Sequence, residues 1–191
     1  MSQILKPLFA VALGVALGLA ATWLAVDRGV EFAAARAGPW LDFPKAGSLE
    51  ADPYTRAIRA RSGETPLGIA EGLTFLARVD DAGAPLDARC DYAVSSPTPA
   101  ARFWTLTALS PEGRPLDGSM QSELTSSNIV RASSGDFSIN VAREARPGNW
   151  IQIVAGRPFL LMFRLYDTPV SAAASALDVK SMPSIRRGRC A

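Results

Sequence analysis

The chain has 191 residues, 20 Lys and Arg against 18 Asp and Glu, a formal charge of +2 and no histidine. The small, scattered positive excess argues against a nucleic-acid footprint. The missing imidazole excludes Ser-His-Asp and Cys-His triads and every His-containing metal site, and two cysteines alone do not make a zinc site. Neither a metal nor a cofactor is expected, and an enzyme built from this chain has to use carboxylates, Lys, Tyr or Ser.

Pro7–Val26 is a run of 20 residues with no charge. As a helix it is roughly 30 Å long, the thickness of a bilayer's hydrocarbon core. It predicts a single transmembrane anchor over residues 1–27. Lys6 and the amino terminus are positive, whereas Asp27, Arg28, Glu31 and Arg36 nearly cancel. That asymmetry predicts a cytoplasmic amino terminus and a domain on the far side of an inner (plasma) membrane, in the periplasm. A cleaved signal peptide is the rival reading, but cleavage after Gly18-Leu19-Ala20 leaves the apolar Ala21–Val26 as the new terminus. Ala10, Gly14, Gly18 and Thr22 recur every four residues on one face, a spacing that lets two membrane helices approach closely and form a helix-mediated dimer.

Residues 28–70 read as a helical extension, a linker and a short helix. Val30–Ala37 continues the first helix and Gly38-Pro39 ends it. Trp40 is expected at headgroup level, where Trp is enriched, and 41–49 reads as linker. Asp52-Pro53 is a helix start, an N-cap followed by Pro in the first turn, with Gly63 as the stop.

From Glu71 the period changes to two. Leu73, Phe75, Ala77 and Val79 alternate with more polar neighbours, Asp81-Ala82-Gly83 turns, and Cys90–Val94 reads as the return strand. Arg102–Leu109 is the next strand, followed by a turn at Ser110-Pro111-Glu112-Gly113. Ser127–Ala132 and Phe137–Ala142 flank a hairpin connection at 133–136, with Phe137, Ile139 and Val141 on one face. Arg146–Asn149 is another turn. Phe159–Tyr166 is the most apolar strand and is placed at the centre of a sheet. Val170–Leu177 reads as a short Ala-rich helix and Met182–Ala191 as an extended tail. About seven strands with turns between them predict a mainly β domain over 71–191, an antiparallel β-sandwich or jelly roll.

The ordered set Phe103-Trp104-Thr105-Leu106-Thr107, Ser127-Asn128-Ile129, Phe137-Ser138-Ile139, Pro147-Gly148-Asn149-Trp150-Ile151 and Phe159–Tyr166 resembles the domain of unknown function 1214 family. The resemblance covers roughly Leu73–Arg187. It implies a jelly-roll β-sandwich similar to one domain of a peptide:N-glycosidase. It also implies the short membrane-anchored form, without the 1254 companion domain of longer bacterial proteins. The family supplies no catalytic residues to carry over.

Cys90 and Cys190 in an exported domain read as a disulfide. The bridge closes a loop of about 100 residues, worth up to roughly 4–5 kcal/mol on chain-entropy grounds. Asp80, Asp81, Asp87 and Asp91 cluster around the first hairpin. Two carboxylates about 5–9 Å apart are what glycoside hydrolysis uses, but acids at turns usually serve turn chemistry and solubility. Arg186, Arg187 and Arg189 read as a solvated tail or a contact to lipid phosphate. Arg164, alone in an apolar strand, needs a partner. With Arg102, Trp104, Asn128, Asn149, Trp150 and Tyr166 it makes a candidate ligand-binding set, cations and amides beside aromatic platforms. The function expected is a membrane-anchored binding module of the cell envelope, taking a partner protein or a glycan. The alternatives are a carboxylate-dependent hydrolase of envelope saccharide or peptide bonds, and a subunit whose anchor pairs with another membrane protein.

Overall fold

The computed structural model describes residues 2–27, 35–43, 46–62, 65–68, 70–154, 156, 158–169 and 179–190. The uncharged run forms α1, Ser2–Asp27. A second helix, α2, spans Pro53–Ser62. It starts where sequence places it, because Asp52 Oδ1 accepts from the Tyr54 and Thr55 amides at 3.0 Å each, satisfying two of the helix's orphan donors. The ten strands among the described residues are β1 (Ala35–Ala37), β2 (Trp40–Asp42), β3 (Gly72–Ala77), β4 (Cys90–Ser95), β5 (Phe103–Leu109), β6 (Glu123–Thr125), β7 (Ser138–Ala142), β8 (Asn149–Gln152), β9 (Leu160–Tyr166) and β10 (Ser184–Cys190).

They form a six-stranded sheet in the order β1-β2-β3-β9-β5-β6 and a four-stranded sheet in the order β10-β4-β7-β8. The two sheets face each other across one core. Phe75, Trp104, Leu106 and Phe163 come from the first sheet, and Tyr92, Ile139, Ile151 and Ile185 from the second. The mainly β reading therefore holds. β9 is central, paired antiparallel with β3 on one side and β5 on the other. Its outer face is buried too: Leu160 and Met162 join Leu76 and Leu109 in a second apolar cluster, with Phe43 packed on it. Burial on both faces explains why this strand reads as continuously apolar and not as an alternation.

Several local readings change. Ala35–Ala37 is a strand and not the end of a helix. It pairs with β2 through a turn in which Gly38 takes φ +63°, and β2 pairs with β3. Sheet pairing, a long-range effect, overrides the helical preference of this Ala-rich stretch. The remainder of the proposed helical extension (28–34), the helix stop at Gly63 and the helix at 170–177 lie outside the described residues. Trp40 is not at headgroup level. It is fully buried, its ring centroid 5.7 Å from that of Phe163, and its indole N–H donates to the Pro183 carbonyl at 2.7 Å.

β4 is not the hairpin partner of β3. The turn after β3 closes on itself through the Val79–Pro85 bridge, and β4 enters the opposite sheet. The stretch before β7 holds no strand at 127–132; β6 lies upstream. β7 and β8 run parallel, so the second sheet is mixed and not wholly antiparallel. The turn at 110–113 forms as read, closed by the Gly113 amide at 2.9 Å, whereas 133–136 holds a turn closed by Gly135 on Ala132 at 2.9 Å but not the hairpin connection expected of it.

The carboxy-terminal segment is a strand and not a loose tail. β10 pairs with β4, and the Cys90–Cys190 disulfide joins the two strands. Its outer edge is partly covered. The Asp81 amide donates to the Ile185 carbonyl, and the Ile185 amide donates to Asp81 Oδ2, both at 3.0 Å. Arg187 is the member of the arginine cluster that turns inward. Its Nε lies 2.9 Å from the buried Asp80 carboxylate and its guanidinium 5.6 Å over Tyr92. On the opposite flank the Gln152 amide of β8 donates at 2.7 Å to the carbonyl of Gln121, in the segment leading into β6.

Candidate functional site

The proposed ligand set does not converge on one groove. Trp104 lies in the core, its ring centroid 5.2 Å from Phe137 and 5.5 Å from Phe163. Asn149 is buried and fully committed to the backbone. Its Oδ1 accepts from the Val130 amide at 2.6 Å, and its Nδ2 donates to the Val130 and Ser138 carbonyls at 2.8 and 3.0 Å. Asn128 sits in an exposed turn and accepts from the Thr125 amide at 2.7 Å. Trp150 is half-buried and donates to the Ala142 carbonyl. Arg102 is exposed, 3.6 Å from Asp167, beside the Phe103–Tyr166 ring pair. Arg164 is half-buried in β9, in register with Thr74 and Thr105. Arg102, Arg164 and Tyr166 thus share one end of the first sheet, Asn149 and Trp150 lie on β8, and Asn128 sits in the turn after β6.

The acidic cluster at the first hairpin is similarly occupied. Asp80 Oδ1 accepts from the Ala82 and Ala84 amides, and its Oδ2 pairs with Arg187. Asp91 pairs with Arg146 at 2.6 Å. Asp87 pairs with Arg89 at 2.6 Å, and the hydrogen bonds from that guanidinium hold its carboxyl below the usual range. These are the duties of turn and surface acids. On α1, Ala10, Gly14, Gly18 and Thr22 are exposed, and among the described residues nothing packs within 4 Å of a Cβ built on either glycine.

One polar site was not foreseen. Where β2 ends beside β3 and α2, Asp42 and Thr74 line a cleft with Phe43, Arg59 and Leu67. Asp42 is only 5% exposed, and burial pushes its carboxyl up to about 6 against the opposing pull of the Phe43 amide and the Arg59 guanidinium. Arg59 lies 5.5 Å over the Phe43 ring. The Thr74 hydroxyl is buried without a hydrogen-bond partner among the described residues. The cleft has room for about one water-sized guest, so it suits a bridging water better than a saccharide. No sequence signal marks it, since a single Asp after Trp-Leu carries no motif.

Asp42 makes stability depend on pH. Its folded pKa lies above the unfolded value of 3.8, so the native state holds the proton more tightly. Stability is therefore greatest below about pH 4 as far as this group is concerned, and falls as pH rises toward 6. Asp42→Asn keeps the shape without the charge. It is expected to gain about 2–3 kcal/mol over the wild type at pH 7.5 and to gain nothing at pH 4. Urea midpoints at the two pH values check this; equal gains at both would contradict the assignment.

The sequence profile of a family described as "Protein of unknown function (DUF1214)" matches residues 71–170. The chain belongs to the DUF1214 family. No curated protein matches it in sequence. As a DUF1214 protein it is similar to the solved VPA0106 protein from Vibrio parahaemolyticus, with a TM-score of 0.60 at 17% identity over 93% of this chain. A second solved structure, an uncharacterized protein from Burkholderia cenocepacia, matches with a TM-score of 0.41 at 19% identity over 87% of this chain. The chain spans 44% of the length of the first and 49% of the second. The first likeness fixes the DUF1214 fold. The matched region runs from β3 to just past β9 and so takes in strands of both sheets, while β1, β2 and β10 lie outside it.

Proposed function

We propose that this DUF1214 protein is a membrane-anchored binding module of the cell envelope. In this reading α1 crosses the inner membrane once, the amino terminus is cytoplasmic and the β domain works in the periplasm on a partner protein or an envelope glycan. The chain divides into an anchor (1–27), a connecting segment (28–70) and the β domain (71–191), with β1 and β2 joining part of the connection to the domain's sheet. The observation that carries this reading is α1 itself. Leu5–Asp27 is apolar enough to cross a membrane, and none of that span is buried against the protein. Leu8, Phe9, Val11 and Leu17 are each more than half exposed, an arrangement costly in water that insertion into lipid relieves. The disulfide supports an oxidising compartment. The stripe of Ala10, Gly14, Gly18 and Thr22 leaves α1 a face for a second membrane helix.

The test is topological. Alkaline phosphatase fused after Cys190 is expected to be active in bacterial cells, and green fluorescent protein at the same point dark. The chain is expected to stay in the pellet after alkaline carbonate extraction. A fluorescent fusion with inactive phosphatase places the domain in the cytosol and ends this reading.

A further inference from the structure

The carboxy-terminal end of α1 meets the end of α2. Arg61, in the last turn of α2, lies with its guanidinium 2.7 Å from Asp27 Oδ1 and 5.9 Å above the Trp23 ring. Trp23 is 59% exposed, and Asp27 is the first charge after the apolar run. Residues of those two kinds mark the level where hydrocarbon gives way to headgroups. The end of α2 is therefore held at that level.

The rest of α2 is suited to the same layer. Its exposed positions are Pro53, Arg56, Ala60 and Arg61, with two cations and no carboxylate among them. Asp52, just ahead, spends its carboxylate on the helix cap, and the acid this face meets is Asp27, paired with Arg61. Arg56 donates to the Leu49 carbonyl, and Leu49 is 94% exposed, the most exposed large apolar side chain among the described residues. Basic side chains beside an exposed leucine and a tryptophan are the composition of an interfacial helix. At 1.5 Å per residue the ten residues of α2 extend about 15 Å, so the helix fits in the headgroup layer only if it lies along the membrane plane.

We propose that α2 lies flat on the outer surface of the bilayer and binds the phosphates of anionic lipid headgroups through Arg56 and Arg61, with Leu49 and Trp23 dipping toward the acyl boundary. This rests on the anchor reading above. The exposed Arg61–Asp27 pair is weak enough for a lipid phosphate to share. Each arginine that reaches an anionic surface strengthens attachment roughly five-fold, and salt removes the effect. The contact bears on how the β domain is presented, because Arg59 of α2 lies over Phe43, the residue that follows β2.

The test uses the full-length protein in nanodiscs of phosphatidylcholine alone and of phosphatidylcholine with one-third phosphatidylglycerol. Amide hydrogen exchange over 53–62 is read in each, with β9 as the check that the domain is folded. The expected result is several-fold slower exchange in the anionic discs, lost in 0.5 M salt. Arg56→Gln is expected to reduce that difference while leaving the neutral discs unchanged. Arg61→Gln is expected to raise exchange in both, because it also releases Asp27 and Trp23. Equal exchange in the two lipids overturns the proposal while leaving the anchor intact. Failure of the protein to enter either disc overturns the anchor reading and this proposal together.

Discussion

Replacing Gly72 with alanine is expected to cost about 3–5 kcal/mol and to loosen β3 from the centre of the first sheet. Gly72 opens β3 and lies opposite Tyr166 of β9. A Cβ built there falls 1.9 Å from the Leu165 carbonyl oxygen and 3.0 Å from its carbon. Those are backbone atoms of the central strand, so no side-chain rotation relieves the clash. Either β3 peels away at its start or β9 shifts, and β9 is locked on its other side by β5. Gly113→Ala serves as the comparison. Nothing lies within 4 Å of its Cβ, and the cost there is only that of placing alanine at φ +79°, about 1–2 kcal/mol. Urea unfolding of the full chain in detergent, followed by tryptophan fluorescence, compares the two. If Gly72→Ala costs no more than Gly113→Ala, the close approach of β3 to β9 is not as described.

Removing the disulfide is expected to cost 2–5 kcal/mol. Cys90 and Cys190 are 100 positions apart, and the chain-entropy value for closing so long a loop is roughly 4–5 kcal/mol, reduced by any structure left in the unfolded chain. The double variant Cys90→Ser/Cys190→Ser avoids stray thiol chemistry. Its urea midpoint should fall, and the wild type with reductant should fall to match it, while the variant ignores reductant. The damage should be local as well. The early part of β10 keeps its contacts through Asp81, Arg187 and Pro183. Exchange should therefore rise most near Cys190. A loss below 1 kcal/mol would mean that β10 is held by its ladder alone.

What could be read from the sequence was set by local chemistry. The α2 start is legible because Asp52 caps amides two and three residues on. β9 is legible because burial on both faces leaves a nearly unbroken apolar run. The cysteine pair is legible because two sulfurs leave one intramolecular partnership. What failed was decided at long range. Ala35–Ala37 has the composition of a helix and becomes a strand by pairing with β2, which β3 holds in turn. Trp40 suits a membrane interface as well as it suits a core, and only Phe163 and Pro183, both more than 120 positions away, decide between them. Among the candidate site residues, an aromatic or amide in a strand does not announce which face it takes. Trp104 went to the core and Asn149 to backbone groups, and Asp42 became a buried acid with no motif to flag it.

The indole of Trp40 meets a carbonyl 143 positions later, and the cystine spans 100. Closures of that span must be entropically funded before they return any contact energy. Until residues 184–190 are in place, β4 lacks its β10 partner and Trp40 lacks the nearby Pro183 carbonyl. The β10 edge of the sandwich therefore forms by encounters between distant parts of the chain, which makes it a slow part of assembly.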